Sequence, residues 1–261
     1  MNERRQDFES LQRFTRAGEQ SAFADVVRRH LDLVFGTAMR KVEDAGAAQE
    51  VSQNVFAALG IQIPPTALRR FWMMLAHYHG QVFNASDLGR SLSVADTTVR
   101  RFLDTLVGTL MVRRLAPWFE NIDKRQVKTP KICFRDRGLL HRLAGVNDAG
   151  QLHTWPRLGP SWEGFALEEI IRLADATEEE AHFWAVHSQG ELGLLIVKDG
   201  RRLGFEFKYA DSPQITSACR MAMKQLKLDQ LTLVCPGDAT YELEDGVRVR
   251  GLNRLVSAGK L

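Results

Sequence analysis

The chain lacks the features of several large protein classes. Cysteine is scarce: Cys133, Cys219 and Cys235 are the only three in 261 residues, and no two form a CxxC pair. This spacing argues against a structural zinc site and favours a reducing compartment. No run approaches the roughly 20 apolar residues that a membrane-spanning helix needs, and the start, MNERRQDFESLQRF, has no apolar core of a secretory signal. We therefore expect a cytoplasmic protein with no membrane partner.

Motifs of two enzyme classes are also missing. The sequence contains no GxxxxGK(S/T) phosphate-binding loop and no HExxH zinc motif. We therefore expect no ATP binding and no ATP hydrolysis by this chain. The excess of positive charge is small, with 35 Lys and Arg against 32 Asp and Glu, so affinity for nucleic acid would have to come from local clustering of charge.

The composition, 44% hydrophobic and 26% charged, is typical of a globular protein. The first sixty residues show helical spacing of apolar side chains, which Gly60 and the pair Pro64-Pro65 interrupt. Beyond residue 180 the spacing becomes that of strands. The sequence therefore predicts an α/β (α+β) protein with a helical hairpin over residues 1–60 and two further domains over 67–120 and 121–261.

Residues 84–115 have the pattern of a helix-turn-helix. Asn84 or Ser86 can cap a short helix, residues 91–93 form a turn, and a longer helix carries Val99 and Phe102 inward. Residues 111–115 then alternate like a strand. Short helix, turn, longer helix and strand is the winged helix-turn-helix arrangement.

A local excess of positive charge follows this pattern. Residues 100–137 contain ten Lys and Arg and four Asp and Glu, a net charge of 10 − 4 = +6. Arg100, Arg101, Arg113 and Arg114 are candidates for contacts with the phosphates of duplex DNA. The same residues are equally compatible with a solvated face or with a docking surface for an acidic protein.

The last third predicts a helix, three strands, a helix and a strand. Asp199-Gly200 is a strong hairpin signal between the second and third strands. The predicted ranges are helix 162–173, strands 182–186, 192–197 and 203–209, helix 216–228 and strand 231–235.

The hairpin's return strand carries Glu206 and Lys208. Side chains alternate along a strand, so these two point to one face and Phe205 and Phe207 to the other. A carboxylate that binds Mg²⁺ beside a lysine that polarises water suits metal-assisted phosphodiester hydrolysis, and Glu163 on the preceding helix is a further candidate acid. The alternative is an exposed ion pair of little energetic weight.

This constellation resembles the PD-(D/E)xK nuclease fold. From about residue 67 to 261 the chain also looks like the C-terminal domain of unknown function of prokaryotic AAA-type ATPases. The matching stretches are FNASDLGRSLSVADTTVRRFLDTL, LAPWFENIDKRQVKTPKICFRDRGLL, WEGFALEEI and GELGLLIVKDGRRLGFEFKYADSP. In that family the module is a winged helix followed by a nuclease-like domain, and a phosphate-binding-loop ATPase normally precedes it.

The resemblance is broken at one residue of the hairpin. The family typically reads Gly-x-Glu-Val-Asp, whereas this chain reads Gly190-Glu191-Leu192-Gly193, so Gly193 replaces the expected metal-ligand aspartate. Glu191, two residues earlier on the same face, and Glu206 are then the candidate metal ligands. An impaired site is our expectation, and an active Mg²⁺-dependent nuclease that uses Glu163, Glu206 and Lys208 is the alternative.

The N-terminal segment resembles a different family. SAFADVVRRHLDLVFGTAMRKVEDAGAAQEVSQNVFAAL is similar to the first half of region 2 of extracytoplasmic-function sigma factors. That resemblance implies docking on the RNA polymerase core through residues 21–59, although the promoter-reading helices do not continue beyond Gly60. A fused remnant that packs on the rest of the chain is the other interpretation.

The leading hypothesis is a DNA-associated binding protein without an ATPase, whose nuclease-like domain is degenerate. A transcription-initiation protein, a nuclease and a plain protein-interaction module remain as alternatives.

Overall fold

The computed structural model describes residues 65–108, 110–120, 126–259 and 261. The sigma-like segment and the helical hairpin predicted over residues 1–60 lie outside these described residues. Docking of RNA polymerase through residues 21–59 therefore stays a prediction.

The chain forms two compact units. Among the described residues, the first includes residues 65–77, 84–108, 110–113 and 136–147, and the second includes residues 78–83, 114–120, 126–135, 148–259 and 261. Each unit is therefore assembled from separate stretches of sequence. The contiguous domains 67–120 and 121–261 stay a prediction.

Among the described residues, the first unit contains four helices and the start of one strand. They are α1 (Pro65–His77), α2 (Ala85–Leu92), α3 (Asp96–Gly108), β2 (Val112–Pro117), which continues into the second unit, and α4 (Arg137–Leu143).

Local sequence sets the ends of α2. The Asn84 side chain accepts hydrogen bonds from the Ser86 and Asp87 backbone N–H groups, which have no partner inside the helix. Ser93 ends the helix in the left-handed conformation at φ 58°. The Ser86 hydroxyl then donates to Asp96, 2.6 Å away at the start of α3. These contacts fix the turn between α2 and α3.

The second unit is built on a mixed sheet. Its remaining elements are β1 (Gln81–Val82), β3 (Lys131–Phe134), α5 (Ala149–Thr154), α6 (Leu158–Leu173), β4 (Ala181–Val186), β5 (Gly190–Lys198), β6 (Arg201–Phe207), α7 (Ser217–Leu226), β7 (Gln230–Cys235), β8 (Thr240–Glu244), β9 (Val247–Gly251) and α8 (Leu252–Ala258). Within the described residues the sheet has nine strands in the order β1-β3-β2-β4-β5-β6-β7-β9-β8.

The central strands are joined by one tight hairpin. Strands β4, β5 and β6 pair antiparallel, whereas β7 pairs parallel to β6 and to β9. Asp199 and Gly200 connect β5 to β6 with φ of 51° and 73°, as a turn that matches strand twist requires. The hairpin brings Gly193 on β5 beside Glu206 on β6.

Apolar side chains of the sheet belong to two buried hydrophobic clusters. Leu194 and Phe205 belong to a cluster that includes residues of α6 and α8. Leu195 and Leu231 belong to a second cluster that includes residues of α7. Helices therefore cover two apolar surfaces of the sheet, which explains why its central strands are apolar along most of their length.

The mixed α/β fold class predicted from the sequence is confirmed. The prediction missed β1, α5, β8, β9 and α8. The winged-helix and nuclease interpretations stay predictions. None of the helices in the described part of the chain is long and apolar enough to cross a membrane.

Candidate functional site

A cavity of about 170 Å³ lies within the second unit. The walls come from β1, β3, the N-terminal half of α6, and β5 and β6. Three carboxylate side chains and two basic side chains line it, together with Pro160, Leu167 and Phe207. The sequence predicted the carboxylates of this set, namely Glu163, Glu191 and Glu206.

Glu206 is held by two groups of its own hairpin. Its Oε1 atom is 2.7 Å from the Lys208 ammonium, and its Oε2 atom accepts a hydrogen bond of 3.1 Å from the Gly193 backbone N–H. The Glu206 side chain is 14% exposed and that of Lys208 is 37% exposed. Both carboxylate oxygens therefore have a donor from the chain itself.

The predicted direction of the side chains on β6 is confirmed. Glu206 and Lys208 meet on one face, and Phe205 and Phe207 are buried in the cluster that includes α6. The edge of Phe207 also reaches the cavity wall.

Glu163 has a different environment in the same cavity. It projects from α6, and its carboxyl group makes no hydrogen bond or ion pair with any residue that the structure describes. Burial raises the pKa of Glu163, the nearby Lys208 ammonium opposes this rise, and the Glu206 carboxylate adds to it.

The pKa of Lys208 depends on the same two carboxylates, Glu206 and Glu163. Burial on its own lowers the pKa of Lys208, but the Glu206 carboxylate, reinforced by Glu163, raises it above the ordinary value of lysine. Lys208 is therefore a stable cation here and not a proton acceptor at neutral pH.

A second ion pair lies at another side of the cavity. Lys131 on β3 binds Glu191 on β5, and the Lys131 side chain is 11% exposed whereas that of Glu191 is 47% exposed. The sequence did not predict this pair, because its members are 60 residues apart and the strand that contains Lys131 gives no sign of its neighbour.

A buried histidine positions the edge of the cavity. His79 is 1% exposed, and its Nδ1 atom accepts a hydrogen bond from the Phe134 backbone N–H at 3.0 Å. Its backbone carbonyl accepts from Arg157 at 2.7 Å. This second contact places the Arg157 guanidinium at the cavity.

The residues present do not fit the divalent cation that the nuclease resemblance implies. Mg²⁺ prefers several oxygen ligands in octahedral geometry. Here the oxygens of Glu206 bind Lys208 and Gly193, and Glu191 binds Lys131. Within the described ranges no group of three His, Cys, Asp or Glu side chains is arranged to hold a metal ion.

The predicted DNA contacts differ in their exposure. Arg100 and Arg101 on α3 and Arg114 on β2 are exposed. Arg113 is only 6% exposed, so its guanidinium does not face solvent as a phosphate contact would require. We therefore remove Arg113 from the candidate DNA contacts.

Two domain families match parts of the chain. Residues 46–150 match a domain of unknown function, DUF8612, and residues 158–255 match a second one, DUF4143, which is found in AAA-ATPase-associated proteins. The second match includes α6, β5 and β6 of the cavity. No solved structure is similar to the chain.

The curated relatives are two mycobacterial proteins. Proteins described as uncharacterized from Mycobacterium bovis and Mycobacterium tuberculosis are each 44% identical to the chain over 227 residues, which is 85% of this chain and 51% of the relative. The chain therefore spans about half the length of the curated relatives it matches.

The first prediction concerns the missing carboxylate. A Cβ atom at position 193 would lie 3.6 Å from Oε2 of Glu206 and 3.2 Å from the Phe207 ring. We expect Gly193→Asp to create affinity for Mg²⁺ or Mn²⁺, so that either cation at about ten times its Kd stabilises the variant by about 1.4 kcal/mol. Thermal melting and calorimetric titration with each cation measure this.

Gly193→Asn is the matched control, because it fills the same space without the charge. We expect neither the native chain nor this control to respond to the cations. Equal stabilisation of the native chain would contradict our conclusion about the donor set.

The second prediction concerns the pH dependence of stability. Glu163 holds its proton more tightly in the folded chain than in the unfolded chain. Its contribution to the free energy of unfolding therefore falls as pH rises from about 4.3, the ordinary pKa of glutamate, through its raised pKa. Glu163→Gln has no proton to lose and so does not show this fall in the free energy of unfolding. On going from about pH 5 to pH 8 the variant should therefore become more stable relative to the native chain.

Urea unfolding at both pH values measures the difference. Glu169→Gln on the same helix reports the effect of this replacement at a carboxylate that pairs with Arg172. If Glu163→Gln instead lost stability relative to the native chain on going to the higher pH, the sign of the shift would be wrong.

Proposed function

We propose that the chain is a DNA-associated binding protein whose nuclease-like domain has lost its metal site. The proposal has two parts, a basic helix that contacts DNA and a cavity whose charges are neutralised internally. The observation that carries it is the exposure of Arg100 and Arg101 on α3, on a helix whose other face is buried.

The first unit presents α3 in a suitable way for DNA contact. Val99, Phe102, Leu103 and Leu106 are buried, so the same helix holds Arg100 and Arg101 outward. The capped helix α2 and the turn at Ser93 precede it. In a winged helix-turn-helix the second helix enters the major groove while the first crosses the backbone, and we assign these roles to α3 and α2.

The contacts available on α3 favour phosphates over bases. Arginine binds phosphate with a bidentate fork and binds it regardless of sequence. We therefore propose binding of duplex DNA with strong dependence on salt and little preference for sequence.

The second part of the proposal concerns the cavity. In a metal-dependent nuclease the carboxylates bind the cation, whereas here Lys208 and Lys131 bind two of them. We therefore favour binding over hydrolysis, and an active Mg²⁺-dependent nuclease is the less favoured alternative. The match to a domain of AAA-ATPase-associated proteins supports action alongside such an ATPase.

The third prediction tests the DNA contacts. Fluorescence anisotropy with a labelled duplex of about 25 base pairs gives Kd over a series of salt concentrations. We expect the native chain to bind and Arg100→Ala/Arg101→Ala to bind more weakly at every sequence. Each lost phosphate contact lowers the slope of log Kd against log salt concentration by about 0.9. The slope measured for the double variant should therefore be smaller than the native slope by roughly two.

Lys224→Ala/Arg254→Ala is the charge-matched control, since both residues are exposed, on α7 and α8, and the net charge changes equally. The control should retain the native slope. Absence of salt-dependent binding by the native chain, or an equal loss in the control, would overturn the proposal.

A further inference from the structure

The cavity of the second unit contains two polar groups that the internal ion pairs leave over. Glu206 and Glu191 are neutralised by Lys208 and Lys131. The Glu163 carboxyl group makes no hydrogen bond or ion pair with the described residues. Within the same part of the chain, the only hydrogen bond of the Arg157 guanidinium is the one that it donates to the His79 carbonyl. An acid and a guanidinium with spare hydrogen-bonding capacity therefore line the same cavity.

The two groups have opposite chemistry. The guanidinium of Arg157 has five N–H donors in a planar fork that matches a carboxylate. The Glu163 carboxylate accepts hydrogen bonds from an ammonium group. Burial raises the pKa of Glu163 although the Lys208 and Lys131 ammonium groups oppose this rise. An ammonium in direct contact with the carboxylate would lower the cost of ionising it further.

The rest of the cavity limits the size and polarity of a ligand. Its volume of about 170 Å³ is many times the roughly 10–15 Å³ that a cavity needs to hold one water. Pro160, Leu167 and Phe207 supply an apolar part of the wall. Small-molecule sites commonly combine such a wall with a few polar groups that fix orientation.

We infer that this cavity binds a small zwitterion, an α-amino acid with an apolar side chain, with its carboxylate on Arg157 and its ammonium on Glu163. The ligand's side chain then contacts the wall formed by Leu167 and Phe207. Neither the DNA contact of α3 nor any metal ion is needed for this binding, so the inference goes beyond the proposed function and is tested separately.

The experiment compares L-valine with its two halves. Isovalerate is valine without the amino group, and isobutylamine is valine without the carboxylate. Calorimetric titration of the full chain should show valine binding at least about tenfold more tightly than either half, because each half lacks one charged hydrogen-bonded contact. Failure of valine to bind, or equal affinity for valine and one half, overturns the inference.

Two variants assign the contacts. Glu163→Gln should weaken valine at least about tenfold, since the ammonium loses its partner, and should not weaken isovalerate, whose carboxylate loses only a repelling charge. Glu169→Gln, on the same helix outside the cavity wall, should leave valine affinity at the native value. Unchanged valine affinity in Glu163→Gln contradicts the assignment.

A second variant keeps the test decisive if Glu163→Gln fails to fold. Arg157→Lys keeps the positive charge but removes the fork, and it should weaken valine and isovalerate alike while isobutylamine binds as before. Circular dichroism and a thermal melt establish that each variant is folded. Unaltered binding of valine to folded Arg157→Lys overturns the role of the guanidinium.

Discussion

The ion pair between Glu206 and Lys208, completed by the Gly193 N–H, is the interaction on which the chemistry of the second unit depends. It uses both oxygens of the carboxylate that a divalent cation would need. The same ammonium also acts on Glu163 and opposes the effect of burial on its pKa. Lys131 pairs with Glu191 in the same way. Two of the three carboxylates of the cavity are therefore in ion pairs within the chain, and Glu163 is the third. We therefore interpret the cavity as a binding cavity and not as a metal centre.

Local signals in the sequence predicted much of the fold. The Asn84 cap, the Asp199-Gly200 turn and the alternation along β6 are properties of neighbouring residues, so they can be found without knowledge of the tertiary structure. Among the missed elements, β9 does alternate buried valines with half-buried arginines, whereas β8 gives no such signal. Strand β8 is almost entirely exposed, so it has no buried face and no alternating apolar pattern.

The candidate site was predictable only where its residues are close in sequence. Glu206, Lys208 and Gly193 belong to one hairpin, and a glycine at position 193 is enough to show that a carboxylate is missing there. Lys131 and Arg157 reach the cavity through contacts to residues 60 and 78 positions away, and no local pattern reports such pairings. Arg113 and Arg114 differ in exposure because adjacent side chains on a strand point to opposite faces, but which of the two faces is covered depends on tertiary packing.

A double-mutant cycle with Glu206→Gln and Lys208→Gln tests the central claim most directly. The free energy of unfolding of the native chain, both single variants and the double variant gives the coupling between the two side chains. We expect a favourable coupling of about 1 kcal/mol or more. This is clearly larger than the roughly 0.3 kcal/mol expected for the helical pair Glu169 and Arg172, whose side chains are 22% and 60% exposed, measured in the same way. A coupling indistinguishable from zero would contradict the account, because Lys208 would then not hold the carboxylate.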